Sequence, residues 1–209
     1  MDGVRNNAVV HLSMLELEAA RHHLLAAPQD DGDLVLVAAR PKPGERELPL
    51  EARLDLVDGL VGDNWLVRGN RHRADGSADP DAQVTVMNVR VAELVAGGRE
   101  AMSLAGDQLY VDLDLSLDNL PIGSRLAIGD AVLEVTAPPH TGCKKFVARF
   151  GEDAMRFVNS GEGRANRWRG MNTKVVVGGT VRLGDRCRKV EPAAPPAVPS
   201  QQSAPLTAL

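Results

Sequence analysis

Aromatic side chains are scarce. The 209-residue chain holds three Phe, two Trp and one Tyr, 3% of its residues. So small a set excludes an exposed stacking platform for single-stranded nucleic acid. It also leaves most core packing to Val, Leu, Ala and Ile. Cysteine is nearly absent too, with Cys143 and Cys187 alone. A disulfide framework is therefore excluded, and a chain of this length buries a core without one. Positive charge is not in excess. The formal net charge of -4 argues against general DNA binding while leaving room for a local basic patch. Long apolar runs are missing. The opening "MDGVRNNAVVHLSMLELEAARHHLL" carries Glu16, Glu18 and Arg21 and reads as neither a signal peptide nor a membrane span. The expected compartment is the reducing cytoplasm, with both thiols free and no membrane partner. No Walker-type phosphate loop, dinucleotide glycine pattern, Gly-x-Ser-x-Gly elbow, C-x-x-C or H-E-x-x-H occurs.

What is present divides into three parts: a helical segment over 1–32, a strand-rich domain over 33–190 and a Pro/Ala-rich tail over 191–209 that cannot bury a core. Ser13 and Glu16 have capping-box spacing, which predicts a helix over 13–27 with Leu12, Leu15, Ala19 and Leu24 on one face. Strands are expected at 33–41, at 48–56 around Leu50, Ala52, Leu54 and Leu56, and at 83–88. A short helix ending at Gly97 follows. Over 107–115, Leu109, Val111, Leu113 and Leu115 alternate with Tyr110, Asp112 and Asp114. Residues 124–138 read as a hairpin turning at Gly129-Asp130, and 173–185 as further strand. Many short strands with few helices predict a mainly β barrel or folded sheet.

The chemistry concentrates in "PPHTGCKKFVARFG" (138–151). Pro138 and Pro139 end a strand. Thr141 is the expected N-cap, which puts Gly142 and Cys143 in the first turn of a helix through Phe150. Unpaired backbone N–H groups and the neighbouring Lys144 and Lys145 favour a thiolate there, or would hold an anion. A second reading stays open, since Cys143 lies three residues before Phe146 and so near the apolar stripe, where a buried cysteine merely fills space. His140 is either an acid, a base or an orienter of the thiolate, or a solvated loop residue. His140 and Cys143 alone fall short of the three or four ligands zinc needs. A basic loop supplies Arg164, Arg167 and Arg169 with Asn172 after them, and another supplies Arg68, Arg71, His72 and Arg73. Each is a fork for an anion or a solvated surface. If both met Cys143 at one barrel mouth, they would form an anion-lined cleft around a thiolate.

The run "LAGDQLYVDLDLSLDNLPIGSRLAIGDAVLEVTAPPHTGCKKFVARFG", together with "VGDNW" and the late "VVVGGTVRLGD", resembles the MOSC domain, named for the C-terminal part of molybdenum cofactor sulfurases. The resemblance implies a β-barrel similar to the small domain of pyruvate kinase. It implies a cysteine, here Cys143, that carries sulfur or ligates molybdenum. It implies basic residues that hold a pterin phosphate, matched here by Lys144, Lys145, Arg164, Arg167, Arg169, Arg71 and His72, with the polar Thr141 and Asn172 beside them as cofactor-binding residues. The pyridoxal-phosphate desulfurase domain of the full-length sulfurases has no counterpart in this sequence, so pyridoxal phosphate is not expected. Expected partners are a sulfur-donating desulfurase, a molybdoenzyme or an anionic small molecule, and no nucleic acid. The function that follows is sulfur transfer or molybdenum-pterin chemistry at Cys143. The alternative is a non-catalytic module that binds an anionic or phosphorylated metabolite.

Overall fold

The structure, a computed structural model, describes residues 11–71 and 73–190. In chain order the elements begin with α1 (Met14–Ala19), α2 (Arg21–Leu25), β1 (Asp31–Val37), β2 (Glu51–Asp55), β3 (Gly59–Leu60) and α3 (Trp65–Arg68). Then come β4 (Val84–Asn88), α4 (Val89–Ala96), a 3-10 turn over Arg99–Ala105, β5 (Leu109–Val111), β6 (Arg125–Ile128) and β7 (Ala131–Val135). The described chain closes with α5 (Lys144–Val158), α6 (Gly161–Ala165), β8 (Met171–Val177), β9 (Gly179–Arg182) and β10 (Arg186–Val190).

β1, β10, β6, β7, β8, β4 and β5 close into a barrel in that order, and β3, β2 and β9 form a side sheet. Every neighbouring barrel pair is antiparallel except β4 with β5. The expected hairpin is β6–β7, and Gly129 turns it at a positive φ of 54° that glycine adopts freely. The mainly β barrel expected from the sequence is thus the observed fold.

Two cores result. The barrel interior is aliphatic, with Leu34, Leu109, Val111, Leu126, Ile128 and Leu133 at its centre. The second core lies outside the barrel wall, under the helices. It gathers Tyr110, Phe146, Phe150, Phe157 and Trp168 with Leu17 and Leu24. Every aromatic side chain of the sequence is buried, Trp65 included. All but Trp65 fill the helix-to-sheet gap, where large rings bury most area.

This double layer corrects several expectations. Tyr110 does not face solvent with Asp112 and Asp114; it is fully buried, because β5 is covered on both faces. The regular strand there is three residues long, Leu109–Val111, where 107–115 was expected. The capping box at Ser13 forms, yet the helix breaks at Ala20 and its phase resets. The buried face is Leu17 and Leu24, while Leu15 is 81% exposed. β2 stops at Asp55, whose Oδ1 accepts from the N–H groups of Val57 and Asp58 in a turn, so Leu56 is exposed, as is Leu50 before the strand. Part of the expected basic loop is the short helix α6. Residues 1–10 and the tail over 191–209 lie outside the described residues.

Phe150→Ala should cost about 3–5 kcal/mol in urea denaturation, as deletion of a fully buried ring does. Leu15→Ala should stay within about 0.5 kcal/mol of the parent. Equal effects would contradict the assignment of the buried face.

Candidate functional site

The segment between β7 and α5 is anchored from two sides. Asn172 on β8 accepts from the N–H of Thr136 through its backbone carbonyl (3.1 Å), and its side chain donates to the Pro138 carbonyl (3.0 Å). Further on, the Gly142 N–H donates to Asn159 Oδ1 (3.2 Å). A Cβ at Gly142 would lie 2.3 Å from Met155 Sδ, so glycine lets this backbone pack on α5 without displacing the Met155 side chain. The consequence falls on the next residue. Cys143 is itself the N-cap of α5, with extended φ and ψ of −128° and 176° and no side-chain cap bond. Thr141 is therefore not the cap, and Gly142 and Cys143 precede the first turn instead of occupying it. Because Cys143 is not helical, its spacing from Phe146 does not place it on the buried stripe. The thiol is exposed. Gly151, at φ 88° and ψ 170°, breaks α5 after Phe150, where the expected helix ends.

Cys143, Lys144 and Lys145 form one wall of a groove of about 700 Å³. The other wall is Trp65, Arg68, Asn70 and Arg71, and Asp79 supplies the one lining carboxylate among the described residues. Arg68 makes no salt bridge among the described residues; burial and the nearby Arg40 charge lower its pKa from the ordinary value. His72 lies outside the described residues.

The remaining expected site residues go elsewhere. His140, Thr141, Arg164, Arg167, Arg169 and Asn172 line a separate cavity of about 290 Å³. The two basic loops thus line different cavities. Arg167, at a positive φ of 47°, donates from one guanidinium nitrogen to the carbonyls of Leu115 (3.2 Å) and Leu120 (2.6 Å). Arg169 is buried over the Phe146 ring, 5.1 Å from its centroid, and donates to Asp107 Oδ2 (2.7 Å) and the Ala105 carbonyl (3.0 Å).

Sequence reasoning missed a larger arrangement around this pair. Arg46, Arg149, Arg169 and Arg40 donate in turn to the carbonyls of Ser103, Leu104, Ala105 and Gly106. They cap the C-terminal carbonyls of the Arg99–Ala105 turn, which a helical end leaves unpaired. Asp63, whose side chain is fully buried, accepts from the Arg40 guanidinium (2.7 and 2.9 Å) and from the backbone N–H groups of Arg40 and Trp65 (both 2.9 Å). These arginines are scattered from 40 to 169, so no local spacing announces them.

His140 turns toward Asp107, with Nδ1 3.2 Å from Oδ1 and no aligned hydrogen bond between them. Its side chain is 18% exposed. Burial, then the Arg169 charge, hold its pKa down to about 3 against the pull of Asp107. The imidazole is neutral at pH 7. Gly170, at φ 94°, makes room for the pair, because a Cβ there would lie 3.3 Å from both atoms and 2.6 Å from the Val86 carbonyl.

The family model described as MOSC domain matches residues 75–188. The chain belongs to the MOSC domain family. That family is associated with molybdenum-cofactor functions. Among solved structures, the YuaD protein of Bacillus subtilis superposes with a TM-score of 0.58 at 15% identity, over 75% of this chain and 94% of that one. YiiM of Geobacillus stearothermophilus superposes with a TM-score of 0.52 at 15% identity, over 77% of this chain and 75% of that one. At such identities the likeness speaks for the MOSC fold alone. No curated protein matches the chain. Among the described residues of this MOSC domain, no three His, Cys, Asp or Glu side chains are grouped to hold a metal ion, and no helix is long and apolar enough to cross a membrane.

Two predictions follow from these environments. The unfolded His140 ring titrates near 6.5 and the folded one near 3, so its contribution to stability is present above pH 6.5 and is lost as pH falls from 6.5 toward 3. The limiting slope is about 1.4 kcal/mol per pH unit. His140→Asn should remove that slope from urea denaturation series, and an unchanged slope would contradict the assignment. For the thiols, iodoacetamide should label Cys143 in the folded protein and spare Cys187, which is buried with its pKa pushed up to about 12. Equal labelling would show that the exposures are wrong.

Proposed function

We propose that the Cys143 groove holds an anionic, ring-bearing cofactor of the molybdenum-pterin class, with the Cys143 thiolate as the protein's ligand to the metal. One observation carries this reading: an exposed thiol opens on a groove of about 700 Å³ lined by Arg68, Arg71, Lys144 and Lys145 against the single carboxylate of Asp79. The volume suits a small-molecule site, and the cation excess suits a phosphate-bearing one. A thiolate is a metal ligand as well as a nucleophile. With no protein cluster able to hold a metal among the described residues, Cys143 would be the chain's own donor and the cofactor would bring the others. Such a group supplies two-electron redox chemistry when bound. The chain's part is to hold and orient it: Arg68 and Arg71 from one wall, the two lysines from the other, and Trp65 as an apolar edge.

The exposure of Cys143 also supports a second reading, a persulfide carrier. Its thiolate would attack the terminal sulfur of a donor persulfide, the donor leaving as thiolate. An acceptor nucleophile would then take that sulfur and return Cys143 as thiolate.

Metal analysis of protein made in a cofactor-competent host separates the two. The ligand reading predicts molybdenum in the parent, its loss in Cys143→Ser, and retention in Cys187→Ser. No molybdenum, with one added sulfur mass at Cys143 after incubation with a cysteine desulfurase and cysteine, would replace it by the carrier reading. Neither signal would overturn both and leave an anion-binding module, which keeps its ligand in Cys143→Ala.

A further inference from the structure

The cavity over His140 has a chemistry of its own, independent of what occupies the Cys143 groove. Its walls are apolar, built by Leu117, Ile122, Pro138, Pro139, Val158 and Met171. Leu117 and Ile122 remain 46% and 60% exposed at the edge, so the apolar surface continues outward. No carboxylate lines the cavity, while three arginines do. Arg169 is neutralised by Asp107. Among the described residues Arg167 meets carbonyl and thioether partners, and burial lowers its pKa from the ordinary value. Arg164, at the end of α6, has no ion-pair partner among the described residues. The walls thus carry two cations that no carboxylate balances.

The polar groups on the inner wall also point to an occupant. Arg169 is buried, yet its Nε has no hydrogen-bond partner. The carboxylate of Asp107 beside Nδ1 of His140 favours the tautomer with its proton on that nitrogen. Nε2 is then a neutral acceptor on a ring that lines the cavity. A volume near 290 Å³ matches a single-ring ligand.

We propose that this cavity binds a small hydroxylated aromatic carboxylic acid. Its carboxylate pairs with Arg164 and Arg167, its ring packs between Ile122, Pro138 and Met171, and its hydroxyl donates to His140 Nε2. The apolar walls exclude a multiply charged phosphate as the preferred ligand, and the cation excess disfavours an amine.

Isothermal titration calorimetry on the full chain tests this with three probes: 4-hydroxyphenylacetate, phenylacetate, and 4-hydroxyphenethyl alcohol. The first should bind best. Phenylacetate, which lacks the hydroxyl, should bind about fivefold more weakly, the effect of one hydrogen bond. The alcohol, which lacks the carboxylate, should bind at least about tenfold more weakly. Arg164→Ala, at an exposed position, should weaken the first probe severalfold, partway toward the level of the alcohol, because Arg167 remains. Ile122→Trp should narrow the mouth and reduce binding of all three. Cys143→Ser, which alters only the neighbouring groove, should leave the affinities unchanged. Absence of binding by 4-hydroxyphenylacetate, indifference to Arg164→Ala, or loss in Cys143→Ser would overturn the assignment. None of these outcomes bears on molybdenum content, so failure here and failure of the groove reading are told apart.

Discussion

The buried ion pair between Arg169 and Asp107 holds the functional face together. Asp107 is fully buried and Arg169 nearly so, with 2.7 Å between them. Arg169 lies just before β8 and Asp107 just before β5, so the pair ties two barrel strands that are not neighbours. Arg169 also reaches the Ala105 carbonyl and stacks on Phe146 of α5. The second oxygen of Asp107 lies 3.2 Å from Nδ1 of His140, on the segment that leads to Cys143. Removing one member of such a pair leaves a buried charge uncompensated, at a cost of about 3–5 kcal/mol. A hydrophobic pair would hold the strands as well, but it would not orient an imidazole.

From that latch the two polar regions separate. Residues 138–143 run between them, with His140 and Thr141 lining one cavity and Cys143 lining the other. The neutral imidazole is aimed at a carboxylate, and the thiol is left to the lysines and arginines of its groove. The arginine-capped carbonyls of 103–106 support this division, because they bring cations from α5 and three loop positions to one short turn, where Asp63 pairs with Arg40 and Asp107 with Arg169.

Much of the frame was legible in the sequence. Gly129-Asp130 turns its hairpin, Ser13 and Glu16 cap a helix, and Gly97 ends α4, because each rests on local backbone chemistry. The MOSC resemblance was legible through the order of such signals. That Cys143, Lys144, Lys145 and Arg71 line one groove was not legible, because residue types alone do not show which loops converge. What was not legible depends on contacts distant in the chain. β10 reads "RCRKV", with little apolar alternation, because its outward arginines pair with Asp31 and Asp33 across the barrel seam while Cys187 points in. Tyr110 was misplaced because sequence period cannot say that a strand is covered on both faces. Arg167 and Arg169 looked like free anion binders, and only the fold shows the carbonyls and carboxylate that engage them.

The central claim is that Arg169 and Asp107 act as a unit that fixes the site. A double-mutant cycle with Asp107→Asn and Arg169→Met, read by urea denaturation, tests it most directly. The account predicts a coupling energy of about 2–3 kcal/mol, the upper end of what contacting pairs show. Single-mutant effects that add to within about 0.5 kcal/mol, as distant sites do, would contradict it.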